Sequence, residues 1–365
     1  MDAHEIGQAF AQSVEGFPPG MPLLLSHDDA DGLSSAALLS RALERAGRPV
    51  EIRLVGRGEN AWSNTMRTEL AAKAMPALIV ADLGLRAQVL RDGTPTVVID
   101  HHVTENGLRS GEAAPGVLGL TGFGLEPVPT TSLLSYWCAQ GLERAGMTGP
   151  VDDLLWLAAI GLIGDLGDKG MAFSELGDAK TRYGITALRA AVTLLNAARR
   201  SASGDGRPAL ALLQRAQGPK EVTSGAFPES ATLLAAKAEV AEAMDAARRI
   251  APVVRPPVAI IRLHSPCQVH PLIAQSWRSR LKDQIVMAVN TGFRPGWVHF
   301  AMRTATDVDL VEFLRERAPE GADEQYGNGH RQASGGALRV PEWNRFVAAL
   351  GFGQEMQLNE IQVAA

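Results

Sequence analysis

LLLSHDDADGLSSAALLSRAL, Leu23 to Leu43, opens on an apolar run that reads as a buried strand and then packs His27, Asp28, Asp29 and Asp31 into five residues. From Gly32 onward, "GLSSAALLSRALERAG" (32–47) has helical periodicity. Further apolar runs follow at "VEIRLV" (50–55), "ALIVADL" (77–83) and "TVVID" (96–100), each short enough for a strand. Strand, helix, strand at this spacing predicts an α/β domain with a mostly parallel sheet. Three of these strands end in acid: Asp29 and Asp31 after the first, Asp82 after the third, Asp100 after the fourth. Parallel sheets bind ligands at the carboxyl ends of their strands, so these carboxylates are expected to converge on one edge.

Two imidazoles join them. His27 follows the first strand, "PLLLS" (22–26), and His101 follows Asp100, while Asp165 comes after an apolar helical stretch, "VDDLLWLAAIGLIGDLGD" (151–168), in a glycine-rich turn. Carboxylates gathered this densely repel one another unless cations neutralise them. A single Asp at a strand end is more often a helix N-cap than a ligand. His27, Asp29, Asp31, Asp82, His101 and Asp165 together form a mixed imidazole and carboxylate set without thiolate. Such a set suits Mn²⁺ or Mg²⁺, with Zn²⁺, Fe²⁺ or Co²⁺ as alternatives. Two ions about 3.5–4 Å apart are the usual device for phosphoryl and phosphodiester hydrolysis.

At 365 residues the chain is longer than one core usually serves. Hydrophobic residues make up 46% and charged residues 21%, as in soluble globular proteins and unlike disordered or fibrous chains. No apolar stretch reaches a membrane span and the first residues lack a signal-peptide pattern, so a cytoplasmic protein with no membrane partner is expected. Only Cys138 and Cys267 are present, too few for a disulfide framework. The net charge is −5, yet between Asp178 and Phe300 there are 17 Lys and Arg against 8 Asp and Glu. That segment is either a solvated helical face or a surface for a phosphate-bearing ligand.

Residues 186–217 read as helical, broken at "SGDG", and 229–250 as a longer amphipathic helix. After "APVVRPP" (251–257), strands are expected at 258–263, 284–290 and 297–304 around a helix at 270–281. The organisation expected is a catalytic domain over 1–185, a helical connector over 186–250, a smaller α/β substrate-binding domain over 251–350 and a tail over 351–365.

In order and spacing, "HDDADG" (27–32), "VADLG" (80–84), "VVIDHH" (97–102) and "GLIGDLGD" (161–168) resemble the four motifs of the DHH phosphoesterase superfamily. "YGNGHRQASGG" (326–336) resembles the glycine-rich GGGH motif of the DHH-associated substrate-binding domain, with Asn328 in place of a glycine. "LLNAARR" (194–200) is similar to the NAAGR segment of the RecJ-like branch, with Arg199 where a glycine is usual. The spacing of the first motif also resembles that branch.

The resemblance implies His27, Asp29 and Asp82 on one Mn²⁺, and Asp31, Asp82, His101 and Asp165 on a second, with Mg²⁺ or Co²⁺ as substitutes. Asp82 would bridge, Asp100 would orient a neighbouring ligand, and His102 would face the scissile phosphate. Gly327, Gly329, His330, Gly335 and Gly336, with Arg199 and Arg303, are the expected substrate contacts, the glycines on a loop whose backbone N–H groups cradle phosphate. "GNGH" alone also reads as a hairpin turn. Asp28 and Asp168 read as solvated or supporting, Thr130, Thr131 and Ser132 as helix-start residues, and Trp137, Trp156, Trp277 and Trp297 as core or interface residues.

The function implied is a phosphodiesterase or exonuclease acting on single-stranded nucleic acid or short oligonucleotides through water activated by two ions. The alternatives are a hydrolase of a cyclic dinucleotide or nucleoside bisphosphate, and a non-catalytic nucleic-acid-binding descendant. Residues 340–365 are too few for an OB-fold, which weighs towards short substrates. Oligomeric state stays open, a homodimer being one option.

Overall fold

A computed structural model describes residues 1–323 and 325–363, the side chains of Glu105 and Asn328 excepted. The chain divides into two units, Met1–Arg199 with Gly204–Leu234, and Arg200–Ser203 with the residues from Ala235 onward.

The first unit is built on six strands: β1 (Leu23–His27), β2 (Glu51–Val55), β3 (Leu78–Ala81), β4 (Thr96–Asp100), β5 (Gly111–Ala114) and β6 (Val117–Thr121). Their order across the sheet is β2-β1-β3-β4-β6-β5, all parallel except β5. Residues of β1 are buried on both faces, as a continuous apolar run in a parallel sheet requires. Leu24 packs into a helical core with Leu33, Leu38 and Trp156, while Leu23 and Leu25 face Trp62, Met66 and Leu70 on the other side. Helix Ala30–Arg45 follows β1 directly and is buried almost throughout, because helices Thr131–Arg144 and Leu155–Leu166 both pack on it. Each of its inaccessible leucines, Leu33, Leu38 and Leu39, contributes about 1.5–3 kcal/mol by leaving water.

After β1 the chain crosses to β2 on one side, then returns to β3 on the other. This reversal opens a crevice at the carboxyl ends of β1 and β3, where open α/β sheets bind ligands. The four strands expected from the sequence and the helix after β1 are present. The β5–β6 hairpin at the sheet edge adds two strands that the apolar pattern does not reveal.

The segment expected as a connector is divided. Helices Ile185–Arg200, up to Arg199, and Arg207–Arg215 belong to the first unit, where Leu188, Leu195, Leu210 and Leu213 enter its core, and helix Ser230–Arg248 passes from one unit to the other after Leu234.

The second unit has a mixed sheet of β7 (Val253–Arg255), β8 (Val258–Leu263), β9 (Ile285–Arg294), β10 (Trp297–Thr304), β11 (Tyr326–His330) and β12 (Ala333–Leu338), ordered β11-β12-β10-β9-β8-β7. Only β8 and β9 are parallel. Phe352, Met356, Leu358 and Val363 pack against Trp343 and Phe346, so the stretch expected as a tail completes this core. Among the described residues no helix is long and apolar enough to cross a membrane.

Candidate metal centre

Helix Ala30–Arg45 begins two residues before the expected helical stretch, and that sets the roles of the acids after β1. Asp29 is its N-cap: Oδ1 accepts from the N–H groups of Asp31 and Gly32, both at 3.1 Å. Capping uses one oxygen and leaves Oδ2 for another partner. That oxygen lies 3.1 Å from His27 Nδ1. Gly32 cannot carry a side chain, since a Cβ there would run into the His27 carbonyl.

Asp31 is wholly buried in the first turn of the same helix. Its carboxylate accepts from the N–H of Thr131 at 2.8 Å and of Ser132 at 3.0 Å, the first two residues of helix Thr131–Arg144. The positive end of that helix thus holds an acid 100 residues away. Burial, followed by the charges of Asp82 and Asp165, nonetheless pushes the Asp31 carboxyl well above the ordinary range.

Asp82 follows β3 with φ +63°, a left-handed conformation that Asp tolerates better than most residues. Trp62 Nε1 fixes the turn by donating to the Leu83 carbonyl at 2.7 Å. The two oxygens of Asp82 face different partners. Oδ2 lies 3.4 Å from His27 Nδ1; Oδ1 lies 3.6 Å from His101 Nε2 and accepts from Thr131 Oγ1 at 3.0 Å. Burial first, then Asp29, raises its carboxyl.

His101 Nε2 stands 3.3 Å from Asp165 Oδ2, 3.6 Å from Asp82 Oδ1 and 3.8 Å from Asp31 Oδ2. It is buried and makes no hydrogen bond of acceptable geometry with any of the three. Burial opposes its charge, but the carboxylates, Asp165 foremost, raise its pKa to about 10. Likewise, burial opposes protonation of His27, while Asp29 and Asp82 lift it well above the usual value. Asp165 lies in the last turn of helix Leu155–Leu166, not in the turn after it.

The ligand atoms of His27, Asp29 and Asp82 fall within 4.8 Å of one another, as do those of Asp31, His101 and Asp165. A third such group is Asp82, His101 and His102. All six expected ligand residues are therefore brought together, in two groups with Asp82 between them. An imidazole nitrogen buried among three carboxylates without a hydrogen bond, in a donor set of nitrogen and oxygen alone, fits divalent cations of the Mn²⁺ and Mg²⁺ kind.

Asp100 is fully buried and accepts from the N–H groups of Gly84 at 2.7 Å and His102 at 2.8 Å. Although burial opposes ionisation, the bond from His102 keeps its carboxyl below the ordinary range. His102 Nδ1 lies 3.2 Å from Asp100 Oδ2, and this pairing overcomes burial to raise His102 to about 9. Its side chain is 40% exposed.

Asp28, Arg199 and Asp168 lie outside these groups. Asp28 is buried beside Arg199, its Oδ1 3.4 Å from Arg199 Nε. Arg199, expected as a substrate contact, also donates to Asp29 Oδ2 at 3.0 Å. Asp168 is exposed and pairs with Arg189.

In the second unit the glycine-rich motif is not a loop. Gly327, Gly329 and His330 lie in β11 and Gly335 and Gly336 in β12, joined by Arg331 and Gln332. These glycines let backbones meet: a Cβ at Gly335 would strike the Phe300 carbonyl, and one at Gly329 the Ala333 carbonyl. His330 is exposed at the end of β11. Arg303, on β10, donates to the Met302 carbonyl at 2.8 Å, and burial, then neighbouring Arg278, lowers its pKa.

Two contributors lie inside quoted motifs, but only the fold shows what they do. Asn196 Oδ1 accepts from the Ala30 N–H at 3.2 Å and steadies the start of the central helix. Gly161 is where helix Leu155–Leu166 crosses Asp31: a methyl there would run into Asp31 Oδ1 and Ser132 Oγ. Gly161→Ala is therefore expected to cost about 1–3 kcal/mol of stability by overpacking and to weaken divalent-ion binding. Denaturant melts and Mn²⁺ titration check this, and an unchanged Mn²⁺ affinity would separate Gly161 from the site.

No protein-family model matches the chain, and no curated protein matches it in sequence. Solved structures do. RecJ in complex with Mn²⁺ from Thermus thermophilus matches with a TM-score of 0.70 at 19% identity, over 95% of this chain and 54% of that one. An exonuclease RecJ bound to manganese gives 0.66 at 19% identity, over 99% and 98%. The DHH domain of a member of the s1p family of ribosomal proteins gives 0.65 at 16%, over 96% and 88%. The chain spans about half the length of the Thermus protein. Its fold is that of the RecJ-type DHH proteins, in agreement with the resemblance carried by the four motifs.

Proposed function

We propose that this chain, built on the RecJ-type DHH fold, is a metal-dependent phosphoesterase that hydrolyses phosphodiester bonds of single-stranded nucleic acid or short oligonucleotides. The observation that carries the reading is the convergence of His27, Asp29, Asp31, Asp82, His101 and Asp165 at the carboxyl edge of the parallel sheet. The structures it resembles support it, two of them being RecJ with manganese.

His27, Asp29 and Asp82 would hold one ion; Asp31, Asp82, His101 and Asp165 would hold the other. When bound, such a pair supplies water activation and charge neutralisation on phosphate oxygens. Asp31 stays in place because two backbone N–H groups grip it, and Asp82 because Thr131 and its own turn do. Asp100, through its bond to Nδ1, orients His102 and favours its protonated form. A protonated His102 would donate to a phosphate oxygen or to the departing oxygen. Hydrolysis assays with Mn²⁺ test the substrate class on long single-stranded DNA and RNA, di- to pentanucleotides, cyclic dinucleotides and a nucleoside bisphosphate. Turnover of the strands or oligonucleotides is expected; turnover confined to the cyclic or bisphosphate compounds would replace this reading with the small-phosphate one.

Gly327, Gly329, His330, Gly335, Gly336 and Arg303 are proposed to serve substrate binding from the second unit. His330→Ala is then expected to leave metal content unchanged and to raise KM for oligonucleotides more than for a small chromogenic phosphodiester. Metal analysis with kinetics on both substrates decides it, and equal slowing of the two would remove His330 from substrate binding.

A further inference from the structure

Arg199 lies in helix Ile185–Arg200, and its side chain, 19% exposed, reaches the start of helix Ala30–Arg45. Its Nη1 donates to Asp29 Oδ2 at 3.0 Å and its Nε lies 3.4 Å from Asp28 Oδ1. Asp29 has already committed Oδ1 to the two N–H groups it caps. The oxygen by which Asp29 joins the group with His27 and Asp82 is therefore the one that Arg199 holds. The other group differs. Among the described residues, no Lys or Arg forms an ion pair with Asp31, Asp82 or Asp165, whose ion-pair partners are histidines.

A guanidinium cannot relieve repulsion from an incoming cation by losing its proton, as an imidazole can. In a partly buried site that repulsion is weakly screened. We propose that Arg199 is a fixed counter-cation that makes the two halves of the metal centre unequal. The half built on Asp31, His101 and Asp165 fills first and tightly. The half built on His27, Asp29 and Asp82 fills second and weakly, because an ion there must draw Asp29 Oδ2 away from Arg199 or share it. Occupancy of the second half then follows the free divalent-ion level, and so does any activity that needs both ions. The inference rests on the metal reading given above.

Its test reads binding, not turnover: Mn²⁺ titration of the folded full chain by equilibrium dialysis and electron paramagnetic resonance, with circular dichroism confirming the fold of each variant. Wild type is expected to show one tight and one weak Mn²⁺. Arg199→Gln and Arg199→Gly should tighten the weak class by about ten- to a hundredfold, the scale on which groups beside metal ligands act, and leave the tight class unchanged. Arg199→Lys, which keeps the charge, should keep the weak class weak, and Asp165→Asn should remove the tight one. Two equal classes in wild type, or no tightening in either neutral variant, would overturn the role of Arg199 while leaving the metal centre standing. Absence of Mn²⁺ binding in every protein would instead overturn the metal reading, and this inference with it.

Discussion

Asp82→Asn is expected to reduce bound Mn²⁺ from two ions to one or none, and to slow phosphodiester hydrolysis about a thousandfold or more, a barrier increase of about 4 kcal/mol. Asn is the informative substitution because it keeps the shape and tolerates the left-handed backbone at φ +63°, whereas Ala would add strain. Thr131 Oγ1 still finds an oxygen to donate to, so the local packing survives. What disappears is the negative charge whose two oxygens face His27 on one side and His101 on the other. Asp168→Ala is the matched control, since that carboxylate is 86% exposed and pairs only with Arg189 among the described residues. Equal, mild effects of the two substitutions would show that Asp82 does not join the two halves.

Removal of divalent ions is expected to abolish activity, and reloading them should release protons. The sign follows from the imidazoles. In the metal-free protein His101 holds its proton up to about 10, raised by the carboxylates around it despite burial, whereas a metal ligand must be neutral. Each ion bound therefore displaces protons, so affinity rises with pH, by about tenfold per pH unit for every proton released. Below neutrality the ions are lost and activity falls with them. Calorimetry in buffers of different ionisation enthalpy counts the protons. Mn²⁺ binding that releases none between about pH 6 and 8, where free imidazoles change charge, would mean that His101 is not a ligand. Undiminished turnover after verified metal removal would end the metal mechanism altogether.

Legibility in the sequence followed the kind of signal each element carries. Strands β1 to β4 announce themselves as apolar runs, and the acids and histidines at their ends are unusual enough to mark the edge where they meet. Other contributions leave no such mark. Thr131 and Ser132 hold Asp31 through backbone N–H groups, which any residue except proline possesses, from 100 residues away. Gly161 matters because a helix crosses another at that point, which only tertiary packing reveals. The β11–β12 pair reads as a loop because glycine is a poor strand former; in the sheet its missing Cβ is what lets neighbouring backbones approach. Residues 351–363 look like a tail because their apolar positions are spread out, yet Phe352, Met356, Leu358 and Val363 each find the same core. Arg199 stands out in the sequence as a departure from the NAAGR pattern and reads there as a substrate contact; only the fold brings it to Asp29.

Anomalous diffraction from crystals grown with Mn²⁺ locates the two ions directly. Two peaks about 3.5–4 Å apart are expected, one contacted by His27, Asp29 and Asp82 and the other by Asp31, Asp82, His101 and Asp165. Peaks elsewhere, or none at the carboxyl ends of β1 and β3 with Mn²⁺ in excess, would show that these residues do not form a two-ion centre.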